Sequence, residues 1–499
     1  MKMEWKDPKL WFLWTLLYHN RQNLTHLSLR LPGIDDAPLE PFLDILQDMV
    51  QLQHLTVRTS FQSENWFLSM LEQCLPLPRL SELFCHFYLD SGTLSSWYDE
   101  ETDDGDRYNN IIATPTPAMK YILDRAIKAR TSPFTGSIGV KIKALRFPDP
   151  ENENVDLIRL VLPMLKSDLV DIETLEVPRL LDQRPEKLYK QMVRVHCPAL
   201  RHLILPSYDE VSCVPNHFIE AATGLKTVRG FSFNDEFEWF SRNMMQMVAK
   251  HHSKTLEEVD LMLCRMINGR DQQALFASCT QLKRFWMVPD GMSTAEQGIE
   301  FKDILTGAWR CLGMKELSIT LNRSIVDVKA TFEAMRQEGL KEAARDGHQA
   351  ADETYRVGDK DQKRRATAWA AKQALTQIGR LTALEHLALG TDEGPYGTDN
   401  DVLESKWDLT LSKGWLAQLA GLKNLRQFHM RTDHWSYMGQ AEVEFMDAEW
   451  PWLDCVTFDR CSMSKQQFGQ EISLPHWQWL QQKRPSLRLS VIHMDEGVH

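Results

Sequence analysis

Apolar triplets of the form LxxLxL recur along this chain at nearly constant spacing, and that recurrence constrains the fold more than any other feature. The stretch NLTHLSLRLP begins at Asn23, and QLQHLTVRTS follows 28 residues later at Gln51, aligning Leu24, Leu27 and Leu29 with Leu52, Leu55 and Val57. With roughly one residue in four of the Leu, Ile, Val, Met or Phe type, about eight such matches arise by chance in a chain this long, so the spacing has to carry the argument. Matches begin at Leu24, Leu52, Leu80, Ile142, Ile172, Leu200, Leu256, Leu282, Met314, Leu384, Leu425 and Leu453. Four of the intervals are 28 residues, and three others are 26, 30 and 32. A weaker unit, GLKTVRGFSF from Gly224, fills the gap between Leu200 and Leu256, and SLRLSVIH from Ser486 closes the series.

Each short alternating segment is followed by a loop and then by a stretch of helical period. Examples are EPFLDILQDMVQL, NWFLSMLEQCL and WFSRNMMQMVAKH. A unit therefore reads as strand, turn, helix. Right-handed crossovers between parallel strands stack such units into a solenoid, with strands on the concave wall and helices on the convex wall. The fold class predicted is α/β, an irregular solenoid of about 12 to 14 repeats. A stack of this kind grows without enlarging a single core, so 499 residues need not mean several globular domains.

The formal charge of -12 argues against nonspecific nucleic-acid binding, which draws on phosphate neutralisation by Lys and Arg. Nine scattered cysteines without a CxxC pair read as reduced thiols of an intracellular protein. The start MKMEWKDPKLWFLWTLLYHN has an apolar run too short to cross a bilayer, so neither a signal peptide nor a membrane contact is expected. Asp7 and Pro8 instead mark the N-cap and first residue of a helix with an apolar stripe of Leu10, Trp11, Trp14, Leu17 and Tyr18. Residues 1–22 are read as a capping helix, and 23–499 as the solenoid.

The units resemble leucine-rich repeats. TLEEVDLMLC, GMKELSITLN and WLDCVTFDRC carry the family's ninth-position Asn or Cys at Cys264, Asn322 and Cys461, whereas Pro32, Tyr88, Tyr208 and Asp392 depart from it. The divergent, Trp-rich style is similar to fungal leucine-rich-repeat proteins of the F-box-like kind, although no LPxEL-like start precedes Leu24. The first reading is a noncatalytic, cytoplasmic interaction protein whose concave face binds another protein, and the resemblance implies substrate recognition with Skp/cullin-type ubiquitin-ligase components as partners. A scaffold or inhibitor that masks one protein is the alternative, and an enzyme with an unrecognised site is the third and least favoured.

The period lapses at about 89–117, 323–366 and 390–406. The first insertion carries six acidic residues among the eight from Asp99 to Asp106, a candidate to fold back over Arg30 and Arg58. The second holds two charged helical patterns, roughly Ser324 to Arg345 and Lys363 to Ile378. Its basic patch of Lys360, Lys363, Arg364 and Arg365 reads either as a solvated helix face or as a nuclear-import signal.

Side chains alternate in a strand, so positions one, four and six of LxxLxL face the core while three, five and seven project outward and stack in columns. At the N-terminal end this sets His26 and Arg30 beside His54 and Arg58, with Phe84 and His86 next. The patch suits an acidic partner with aromatic anchoring, unless the arginines splay into water. Further along, Glu258 and Asp260 fall near Arg284 and Trp286, with Glu316 next. These charges either pair with one another or bind a partner, and Trp286 either packs under a loop or anchors a ligand. His429, Arg431 and Arg460 form a third, basic candidate. No nucleotide loop, GxSxG elbow, HExxH helix or metal-ligand spacing appears, so catalysis, metals and cofactors are not expected.

Overall fold

The computed structural model describes residues 8–30, 40–61, 64–89, 116–134, 136–146, 163–176, 190, 192–205, 214–233, 238–264, 269–288, 299–304, 307–322, 328–346, 359–391, 409–430, 438–459 and 475–492. The chain divides into two compact units, Met1–Leu225 and Lys226–His499. The first unit holds β1 His26–Arg30, β2 His54–Phe61, β3 Glu82–Leu89, β4 Ile142–Arg146, β5 Val170–Glu176 and β6 His202–Leu205, parallel neighbours in chain order. The second holds β7 Thr227–Phe233, β8 Glu258–Cys264, β9 Arg284–Val288, β10 Ile299–Glu300, β11 Glu316–Asn322, β12 His386–Thr391, β13 Gln427–Met430, β14 Cys455–Asp459 and β15 Arg488–Ile492. These too are parallel and ordered along the chain, except that the short β10 pairs beside the end of β11.

Every LxxLxL match begins or lies within a rung, and positions one and four face the helices. Leu52, Leu55, Leu256, Val259, Leu282, Phe285, Met314, Leu317, Leu384 and Leu425 are all fully buried. Each such side chain contributes about 1.5–3 kcal/mol by leaving water. Aromatic residues of the helical layer close edge-on against inward-facing rings of the rungs. Phe276 meets Phe285 at 4.9 Å, Trp450 meets Phe428 at 5.2 Å and Trp477 meets Phe458 at 5.1 Å.

The rungs are also joined by a hydrogen-bond pattern that begins at position two. The carbonyl of Thr25 accepts the N–H groups of both Gln53 and His54, at 2.8 and 3.1 Å. Gln53, Ser81, Lys226, Glu257, Lys283, Lys315, Glu385 and Arg426 repeat this double acceptance one rung on. Two donors on one oxygen satisfy the backbone where the turn ends and the strand starts. The side chains of Cys264 and Asn322 lie outside the described set, as does Cys461.

The long intervals are single crossovers, since β3 pairs directly with β4 and β11 with β12. Before β4, Thr116 caps the helix Pro117–Arg130 by accepting the Met119 N–H at 3.2 Å, and Pro117 supplies the fixed first φ. Before β12 come the helices Val328–Asp346 and Lys360–Gly379, the second capped by Asp359. Glu338 clips them together by accepting from Trp369 Nε1 at 2.9 Å and Gln373 Nε2 at 3.1 Å. Gly379 and Gly421 allow a backbone approach that no side chain fits, because a Cβ on Gly379 would fall 1.9 Å from the Gln418 carbonyl oxygen. No described helix is long and apolar enough to cross a membrane.

Two expectations need correction. In the helix Pro8–Asn20, Trp14 and Leu17 are buried, and Trp14 stacks on Phe42 at 5.7 Å, but Tyr18 is exposed. Its ring instead carries the Arg21 guanidinium at 3.9 Å, because one polar edge suits water better than the core. Nor is the outward face open along its whole length. Glu176, Ser318, Thr320 and Ala388 occupy positions five or seven and are buried. Ser318 turns its hydroxyl sideways onto the Met287 carbonyl at 2.6 Å.

Candidate functional site

The first unit arranges its outward residues by register. His26, His54 and Glu82 stand in one column, Thr56 and Phe84 pair in the next, and Arg30, Arg58 and His86 in the third. The rings of His26 and His54 stack at 4.0 Å with their planes 15° apart, and His54 Nδ1 lies 2.7 Å from Glu82 Oε2. Thr25 Oγ1 is 2.9 Å from His26 Nδ1. The patch thus contains its own carboxylate. Glu82 is position three of the unit starting at Leu80, so column reading could have found it. For Arg30, Arg58 and His86 the structure describes the backbone register alone, and Asp99 to Asp106 lie outside the described residues.

The second unit gathers more charge. At position three stand Glu258, Arg284, Glu316 and His386 in successive rungs; at position five stand Arg229, Asp260 and Trp286. Arg229 donates Nε at 3.1 Å and Nη2 at 2.8 Å to Glu258 Oε1, which also accepts Arg284 Nη1 at 3.3 Å. On its other side Arg284 Nε lies 2.9 Å from Glu316 Oε2, at ion-pair distance but without hydrogen-bond alignment. Arg284 is therefore held between two carboxylates, with its guanidinium carbon 5.9 Å from the Trp286 ring centre. Trp286 is half-buried.

Beneath these columns, position two forms a row of paired ions. Glu257 takes Lys226 at 3.1 Å and Lys283 at 2.6 Å, and Lys315 reaches Glu385 at 2.9 Å. The lysine hydrogen bonds hold the Glu257 and Glu385 carboxyls below the usual range. Asp260 behaves oppositely. Burial pushes its carboxyl up, Arg284 and Arg229 oppose that, and Glu258 and Glu316 add to it. One Asp260 oxygen is buried without a hydrogen-bond donor, and among the described residues no cation comes within ion-pair distance.

Glu258, Asp260, Arg284, Trp286 and Glu316 are thus brought together. Arg229 was missed as a site residue, although GLKTVRGFSF already placed it at position five. At the third candidate, His429 has Ala388 and Thr457 as column neighbours, while Arg431 and Arg460 lie outside the described residues. Thr457 and Ser490 there share a hydrogen bond at 3.0 Å, with Cys455 Sγ 3.5 Å from Thr457 Oγ1. Among the described residues no group of three or more His, Cys, Asp or Glu is arranged to hold a metal ion.

The fold that carries these columns is an α/β leucine-rich-repeat solenoid. No protein-family model matches the sequence, and no curated protein matches it. Among solved structures the chain is similar to a leucine-rich-repeat protein of Leptospira interrogans, at 11% identity and a TM-score of 0.31 over 98% of this chain and 100% of that one. The fold assignment rests on the register and spacing of this chain's own strands.

Proposed function

We propose that the protein is a noncatalytic interaction module that binds a protein partner on the strand face of its second unit, with Arg284 and Trp286 at the centre. The observation that carries this reading is a half-buried indole beside a guanidinium already fixed by Glu258 and Glu316. Trp and Arg dominate binding hot spots because each buries a large area, and prior fixing of the side chain lowers the ordering cost of association. The rungs below give that pair a rigid base.

The test is affinity capture from a native lysate with the wild type, with Arg284→Ala and with Trp286→Ala, and with Lys423→Ala as a control outside the columns. The reading expects a partner retained by wild type and control and lost from both face variants. If the same partner persists on both variants while circular dichroism shows them folded, the second unit's face is not the binding site. The resemblance adds a finer role, substrate recognition within a Skp/cullin-type ligase, which requires cullin-ligase components among the proteins captured. His26, Arg30, His54, Arg58, Phe84 and His86 form the candidate face of the first unit, and His54→Ala with Phe84→Ala in the same capture ranks the two.

A further inference from the structure

We infer that the second unit's strand face accepts a cationic side chain of its partner, an arginine or a lysine, between Asp260 and Trp286. The inference deepens the reading above and rests on it. Its basis is what remains after the internal ion pairs are set aside. Arg229 is engaged by Glu258, and Arg284 by Glu258 and Glu316. The rim lysines Lys226 and Lys283 are likewise taken by Glu257. Three carboxylates (Glu258, Asp260 and Glu316) then face two guanidinium groups, and the one without an ion pair among the described residues is Asp260.

Its place decides the ligand chemistry. Asp260 and Trp286 are register partners on adjacent parallel strands, about 4.8 Å apart, and both project to the outward face. A carboxylate next to an aromatic ring suits a group that is positively charged, donates hydrogen bonds and has a flat or alkyl flank to lay on the indole. Arginine and lysine meet all three requirements. A neutral amide donor could satisfy the buried oxygen yet would not balance the third carboxylate. An acidic partner would meet the excess carboxylate directly. Arg284 does not fill the place itself, because at 5.9 Å it sits at the outer limit of cation–π range and is held by a hydrogen bond to Glu258 and by ion-pair proximity to Glu316.

The experiment uses the full chain labelled with 5-fluorotryptophan, with the Trp286 fluorine resonance assigned by its loss in Trp286→Phe. The probes are N-acetyl-arginine methylamide and N-acetyl-lysine methylamide, compared with the neutral citrulline and norleucine counterparts. The inference expects a saturable shift of the Trp286 signal with the two cations. It expects binding of the neutral probes to be about tenfold weaker, and a loss of about tenfold for the arginine probe in Asp260→Asn. Equal binding of citrulline and arginine, an unchanged affinity in Asp260→Asn, or no Trp286 shift with either cation would each overturn it. Asp260→Asn keeps the side-chain shape, and unchanged circular dichroism of that variant separates lost binding from lost fold. Partner capture that depends on Trp286 and Arg284 but not on Asp260 would reject the cation site while leaving the proposed face standing.

Discussion

Replacing Leu261 and Glu258 by alanine, one at a time, weighs the two faces of β8 against each other. Leu261 is position six and fully buried, and truncation removes three carbons, about 2 kcal/mol of transfer at about 0.8 per methylene. The cavity left in a packed layer adds to that, so the expected loss is about 3 kcal/mol, within the range of roughly 2–5 for buried leucines. Glu258 makes three hydrogen bonds, to Arg229 Nε and Nη2 and to Arg284 Nη1, but its arginine partners are 40% and 35% exposed. Pairs at a solvent edge give about 0.2–1 kcal/mol each, Arg229 can turn to water, and Arg284 keeps Glu316. The expected loss for Glu258→Ala is therefore about 1 kcal/mol.

Stacked repeats need not unfold together, so the readout should be amide hydrogen exchange of β8 and its neighbours, beside urea unfolding followed by circular dichroism. A Glu258→Ala cost equal to that of Leu261→Ala would refute the division into a core face and a solvent face. So would a Leu261→Ala cost below about 1 kcal/mol.

Gly379→Ala should destabilise the second unit, because the new Cβ would meet backbone oxygen at 1.9 Å, whereas Gly339→Ala in open space should stabilise by about 0.5–1 kcal/mol. Thermal melts that move the same way for both would contradict the close approach. The thiols of Cys74, Cys197 and Cys311 are pushed up to about 12 and that of Cys279 to about 11, each chiefly by burial. In the folded protein at pH 8 these four should resist maleimide while half-exposed Cys455 reacts, as mass spectrometry would show. Because the folded values lie above the ordinary 9.0, the stability tied to these protons is complete below pH 9 and is lost as pH rises toward 11 to 12. Urea midpoints should fall above pH 9, and a flat profile to pH 10.5 would count against their burial.

The residues by themselves determined the rungs. Alternation with period two and a recurrence near 28 residues are properties of a few positions and their spacing, so they survive without knowledge of distant contacts. They placed β1 through β9 and β11 through β15, assigned positions one and four to the core, and brought Glu258, Asp260, Arg284 and Trp286 to one face. Only the tertiary structure decided how that face is used up internally. Whether Arg284 turns to Glu258, Glu316 or Trp286 depends on ångström-level geometry between rungs 26 to 32 residues apart, where Coulomb energy changes steeply with distance. The same holds for Glu82 beside His54, for the double acceptance at position two, and for the buried Ser318 and Ala388 on a face that alternation alone would leave in water. Side-chain direction is local, but the identity of a charge's neighbour is set by chain folding, and here it leaves Asp260 without an ion pair among the described residues.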